Sequence, residues 1–131
     1  MDTSDYTEAA LHQQFLSFGI DKAVAQLCQL EPHPVHVLGF SVGGTIGWKY
    51  ALANTKVASL TAISATRIRH ETTLPNTSIK LYYGEQDSYK PSPDWFSRLN
   101  LNGTIIPNLG HQLYTDETFI KQLCESMVNG L

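Results

Sequence analysis

The sequence predicts an α/β protein, a small parallel sheet of about four strands flanked by helices. Three observations carry that reading. Runs of strand character alternate along the chain with segments of helical spacing. The runs, such as Val35-His36-Val37-Leu38, are near-continuous in apolar residues, as strands covered on both faces are. The order strand, helix, strand calls for right-handed crossovers between parallel neighbours.

Each element has its own signal. Asp5 followed by Glu8 resembles a capping box, and Ala9, Ala10, Leu11, Phe15 and Leu16 follow at roughly helical spacing. Gly19 is a stop for that helix, and Asp21 a cap for a second, with Val24, Leu27 and Cys28 on one face; Pro32 and Pro34 end it. Val35 to Phe40 reads as the first strand. Residues 43–54 read as a helix with Ile46, Tyr50 and Ala53 inward. Residues 57–65, 79–83 and 103–107 read as three more strands, with a short helix at 94–99 before the last. A terminal helix spans 115–128, started by Thr115 or Asp116. The connection between the second and third strands is polar and interrupted by proline, with room for a turn or a very short helix. The 131 residues read as a single domain, with a helical segment at 1–31 and the strand-bearing part at 32–131. A chain of this size buries roughly two-thirds of its unfolded surface, enough for one core.

The bulk composition excludes several functions. It is 42% hydrophobic and 16% charged, as in a globular, soluble protein. The formal charge of −3 argues against nucleic acid, which asks for a clustered basic surface. Only Arg67 and Arg69 lie close together, a pair read as capping a strand end. Cys28 and Cys124 both sit in apolar helical patterns and read as reduced core thiols of a cytoplasmic protein. The opening Met1-Asp2-Thr3-Ser4-Asp5 is acidic and polar, unlike a secretory signal, and no apolar run approaches the ~20 residues of a membrane span. No cofactor is expected: no dinucleotide motif is present, and no lysine follows Gly43-Gly44 at phosphate-loop spacing. No metal is expected either, because His12, His33, His36 and His70 share no ligand spacing.

One stretch carries chemistry. Gly39-Phe40-Ser41-Val42-Gly43-Gly44 lies between the first strand and a helix. A serine at such a turn is exposed as a nucleophile, and the turn is tight enough that glycine is expected at both flanks. The following helix aims N–H groups at the place where negative charge would develop. A hydroxyl needs a base to act as a nucleophile, and an imidazole base needs a carboxylate to orient it.

At this point the chain resembles the α/β-hydrolase family. In that family the residues come in the order nucleophile, acid, histidine. Gly84-Glu85-Gln86-Asp87, after the third strand, is similar to the family's acid position, and Gly110-His111, after the fourth, to its histidine. The resemblance covers residues 21–131, the C-terminal half of a usual member. It implies Ser41 as nucleophile, His111 as general base and Asp87 as orienting acid, with Glu85 the runner-up. It also implies an oxyanion donor at the Val42 N–H and a second donor on a glycine-rich loop upstream, of which the sequence shows no sign. The function implied is cleavage of a small carboxylic ester or thioester, a small-molecule acyl substrate, through an acyl-serine intermediate. The alternative is a non-catalytic binding or assembly module on the same fold.

The chain departs from the resemblance at its start. The family has about four strands before the serine strand; here the first thirty-odd residues read as helical. Val35 to Phe40 would then be an apolar sheet edge. It is expected to be covered by the helices of residues 5–31 or by a second copy in a homodimer. The short connection after the second strand leaves no lid. Tyr83, Tyr89, Trp95 and Tyr114 are candidate walls of an open site.

Overall fold

A computed structural model of the chain describes residues 19–30, 34–54 and 56–129. The capping box at Asp5, the helix expected after it and His12 and His33 lie outside the described residues. The order of elements is α1 (Ile20–Leu30), β1 (Val35–Phe40), α2 (Val42–Ala53), β2 (Val57–Ile63), β3 (Ser78–Gly84), α3 (Pro93–Arg98), β4 (Gly103–Ile106) and α4 (Glu117–Asn129). The strands form one parallel sheet in the order β1-β2-β3-β4. The expected four-stranded α/β architecture is therefore the observed one.

Helices α3 and α4 begin where a side-chain oxygen meets a free N–H group. The Ser92 hydroxyl accepts from the Trp95 N–H at 3.4 Å and Pro93 opens α3, a position where its missing N–H costs nothing. The Asp116 carboxylate accepts from the Phe119 N–H at 2.9 Å and caps α4. Helix α1 starts at Ile20, one residue before the expected cap. Asp21 lies instead in the first turn, where a negative charge suits the helix dipole.

The sheet is packed on both faces. On one, Trp48 of α2 and Trp95 of α3 meet Leu60, Ala62, Leu81 and Tyr83, with the two indoles 5.8 Å apart. On the other, Phe119 and Leu123 of α4 pack with Ile63 and Leu113. Trp48 is fully buried, whereas Ala53, expected inward, is exposed and Ile46 only half-buried. The inward face of α2 is Gly44, Thr45, Gly47, Trp48, Tyr50 and Ala51, because the helix is buried on more than a narrow stripe. A second correction concerns the thiols. Cys28 and Cys124 are exposed, each one position past a leucine, Leu27 or Leu123, that takes the inward place.

The connection between β2 and β3 holds only a single 3-10 turn at Ile68–His70. Arg67 and Arg69 belong to this loop rather than to a strand end. Among the described residues β1 is an unpaired edge of the sheet. The Val24 and Leu27 side chains of α1 pack with Tyr50, Ala51 and Val57. A groove of about 600 Å³ remains along β1, lined in part by Leu27, Val37, Leu38, Phe40 and Ile46. No described helix is long and apolar enough to cross a membrane.

Candidate active site

Because all four strands are parallel, their carboxyl ends share one rim of the sheet. Three loops leave that rim carrying Ser41, Asp87 and His111.

The Ser41 turn is built locally. Its backbone has φ 54° and ψ −126°, a left-handed conformation that costs a non-glycine residue about 1–3 kcal/mol. Two hydrogen bonds hold it there. The Ser41 N–H donates to the Ile63 carbonyl at 2.9 Å, extending the ladder with β2, and its own carbonyl accepts from the Gly44 N–H at 3.0 Å. The turn folds the start of α2 back onto Gly39, where an added Cβ would lie 2.4 Å from the Gly43 carbonyl oxygen. Gly39 is thus required by close approach. The expectation of the same pressure at Gly43 is corrected, since a Cβ there meets nothing within 4 Å. At the start of α2 the Val42 N–H has no acceptor among the described residues and is free to donate.

Asp87 and His111 are positioned by each other's loops. The Glu85 N–H donates to the Ile106 carbonyl and the Gln86 N–H to the Leu109 carbonyl, both at 2.9 Å. These bonds lash the turn after β3 to the loop after β4. The contact is close enough that a Cβ on Gly84 would lie 2.4 Å from the Leu109 oxygen and 2.5 Å from the Gly110 oxygen. Asn108, the left-handed residue of this loop at φ 65°, is of a type that tolerates it.

The result is a continuous row of polar atoms. Ser41 Oγ is 3.1 Å from His111 Nε2, and His111 Nδ1 is 3.2 Å from Asp87 Oδ2. The Asp87 side chain is fully buried, while His111 keeps 29% of its side chain exposed. The other carboxylate oxygen of Asp87 accepts from the Tyr89 N–H at 2.9 Å. A carboxylate only accepts, so Nδ1 carries the imidazole proton and Nε2 presents its lone pair to the Ser41 hydroxyl. Glu85 is exposed, and its carboxylate accepts from the Asn108 N–H at 3.3 Å rather than from His111.

The aromatic residues divide. Tyr89 and Tyr114 flank the imidazole edge-on, at ring distances of 5.6 and 6.0 Å. Tyr83 and Trp95 are core residues, a correction to their reading as walls. Tyr83 is fully buried and donates its hydroxyl to the Ala65 carbonyl at 2.9 Å. Burial holds that hydroxyl far above its ordinary pKa, with the Asp87 charge adding to the effect and Arg69 opposing it. The Trp95 Nε1–H donates to the Glu71 carbonyl. Both positions fall on inward faces, Tyr83 on β3 and Trp95 on α3, and packing claims them.

Two residues that back the flanking tyrosines were not read from sequence as site residues. Phe40, half-exposed, packs edge-on against Tyr114 at 5.7 Å. Arg69 lies over the Tyr89 ring at 5.5 Å. Phe40 precedes the serine directly, and that adjacency was an available signal. Nothing local in the sequence ties Arg69 to Tyr89. Among the described residues no group of three or more His, Cys, Asp or Glu side chains could hold a metal ion.

Comparison with known proteins bears on the fold that carries these residues. Among solved structures, the chain is similar to a predicted CIB-like hydrolase from Thermoplasma acidophilum (16% identity, TM-score 0.67), covering 86% of this chain and 60% of that one. It is similar to an alpha-beta serine hydrolase homologue from Coxiella burnetii (21% identity, TM-score 0.58; 84% and 56%). A third similar structure is alpha/beta hydrolase domain-containing protein 10 from mouse (12% identity, TM-score 0.64; 84% and 66%). The chain spans less than two thirds of the length of each of these proteins. No curated protein matches the chain. The family model of the alpha/beta hydrolase fold matches residues 6–115, and the chain belongs to that family.

Proposed function

We propose that the protein is a serine hydrolase that cleaves a small carboxylic ester or thioester through an acyl-Ser41 intermediate. The observation that carries this reading is the unbroken row from Ser41 Oγ through His111 to the buried Asp87 carboxylate. Membership of a hydrolase-fold family supports a hydrolase in general.

In this reading His111 Nε2 takes the hydroxyl proton as Ser41 Oγ attacks the acyl carbon. The carbonyl oxygen becomes an oxyanion facing the Val42 N–H at the start of α2. The intermediate collapses, the bond to the leaving oxygen or sulfur breaks, and His111 returns the proton to it. Water then repeats the sequence on the acyl-serine, giving up a proton to His111 and releasing the acid and free Ser41. Asp87 holds the imidazole in the required tautomer and stabilises its charged form. One oxyanion donor is worth about 3–4 kcal/mol. The resemblance assigns the second to a loop upstream of Ser41, where residues 1–18 and 31–33 lie outside the described residues.

A fluorophosphonate probe tests the reading. The expected outcome is covalent labelling that Ser41→Ala abolishes. Folded protein that resists the probe and leaves p-nitrophenyl esters intact overturns it in favour of a non-catalytic module.

A further inference from the structure

We infer that Arg69 is a specificity-determining residue, selecting acyl substrates that carry a carboxylate away from the scissile bond. This rests on the acyl-Ser41 reading for the reaction and adds a substrate class to it.

Arg69 is half-buried, and among the described residues it makes no ion pair; the ion pairs there are Lys49 with Glu71 and His111 with Asp87. One N–H of its guanidinium, on Nη1, donates to the Thr66 carbonyl of its own loop, which leaves the rest of its donors without a hydrogen-bond acceptor among the described residues. For a half-buried cation without a counter-charge, one carbonyl and an aromatic face replace only part of the lost hydration, and an anionic ligand would complete it.

Its position points to the site. The guanidinium lies 5.5 Å from the centre of the Tyr89 ring, a cation–π arrangement that holds a long side chain in place. The same ring stands edge-on to His111 at 5.6 Å. Asp87, two residues before Tyr89, accepts the Tyr89 N–H, so the platform beneath Arg69 is fixed by the row itself. Arg69 is also near enough to the interior to act electrostatically on Tyr83, as Asp87 does. The Asp87 carboxylate is fully buried and committed to His111 and Tyr89, and so is not the partner of Arg69. The other ring against His111, that of Tyr114, is backed by the apolar ring of Phe40. His111 thus has two aromatic neighbours, one backed by an apolar ring and the other by a cation. A planar guanidinium edge matches a planar, singly charged carboxylate through two parallel hydrogen bonds. With Ser41 attacking the acyl carbon, a carboxylate at the other end of a short acyl chain is placed toward Arg69.

The test compares p-nitrophenyl acetate with the singly charged p-nitrophenyl hemiglutarate, in the unaltered protein and in Arg69→Gln. The expected result is a kcat/KM ratio favouring the hemiglutarate, falling about tenfold in Arg69→Gln and partly restored in Arg69→Lys. The preference should also weaken as salt is raised. A binding measurement is independent of turnover. In the Ser41→Ala background, glutarate should perturb the His111 ring signals in NMR at lower concentration than neutral glutaramide does, and adding Arg69→Gln should remove the difference. If neither ester is cleaved, the acyl-Ser41 reading fails while glutarate binding still judges Arg69. Equal loss for both esters in Arg69→Gln marks a purely structural role and overturns the inference. So does glutarate binding no better than glutaramide.

Discussion

The Ser41 turn and the paired loops of Asp87 and His111 hold polar side chains at the same rim of the sheet by different means. The turn is self-contained: six consecutive residues, one strained backbone, and a hydrogen bond to each of β2 and α2. The two loops have no such local solution. They lie 24 residues apart in sequence and are fixed by backbone bonds to each other and by the near-contact at Gly84. The serine is thus presented by local geometry anchored in the core through Trp48, whereas the base and its buried acid are presented by a mutual brace between two loops. A local device fails by unfolding its neighbourhood; a brace fails by drifting out of alignment.

The largest expected effect comes from the chemistry that the brace delivers. Asp87→Asn should lower kcat by about 10³–10⁴-fold with the fold intact by circular dichroism, because an amide no longer fixes the His111 tautomer. A loss under tenfold would separate Asp87 from catalysis. Next come the two glycines, which set turn against brace. Gly84→Ala pushes on the backbone carbonyls of Leu109 and Gly110, so the loop that carries His111 must shift. We expect it to cost about 10²-fold in kcat/KM, the usual result of misplacing a catalytic group by an ångström, beyond any loss of stability that the displaced carbonyls bring. Gly39→Ala pushes on the first turn of α2, which the buried Trp48 and Tyr50 hold in place. It should cost about 1–3 kcal/mol in urea unfolding. If the two variants exchange signatures, the contrast is wrong. The smallest effect is expected at Glu85→Gln, within about twofold in kcat/KM, since its carboxylate meets an exposed backbone N–H rather than His111.

How much of this was legible depends on how far apart the cooperating residues lie. The strands and helices, and their succession along the chain, follow from periodicity and caps, which act over a few residues. The serine turn was legible for the same reason, although only Gly39, not Gly43, proved to be sterically required. Asp87 was preferred to Glu85 by resemblance, and the structure shows why the two differ. Asp87 turns under the loop onto His111, and Glu85 faces Asn108 at the surface. The aromatic residues were harder. Tyr83 and Tyr89 are equally tyrosine and six positions apart, but one ends on an inward face of β3 and the other on an open turn. The cysteines fell on the wrong side of their helices because one step along a helix turns a residue by about 100°.

By itself the sequence determined the α/β class, the serine turn and the chain order of serine, acid and histidine, since each is written in contiguous residues or in their succession. Only the tertiary structure decided that Ser41 and Asp87 meet His111 at hydrogen-bond distance. It alone decided that Tyr83 and Trp95 belong to the core and that Arg69 lies over Tyr89. Those outcomes depend on sheet register and on carbonyls of one loop meeting N–H groups of another, contacts that no local stretch of chain encodes.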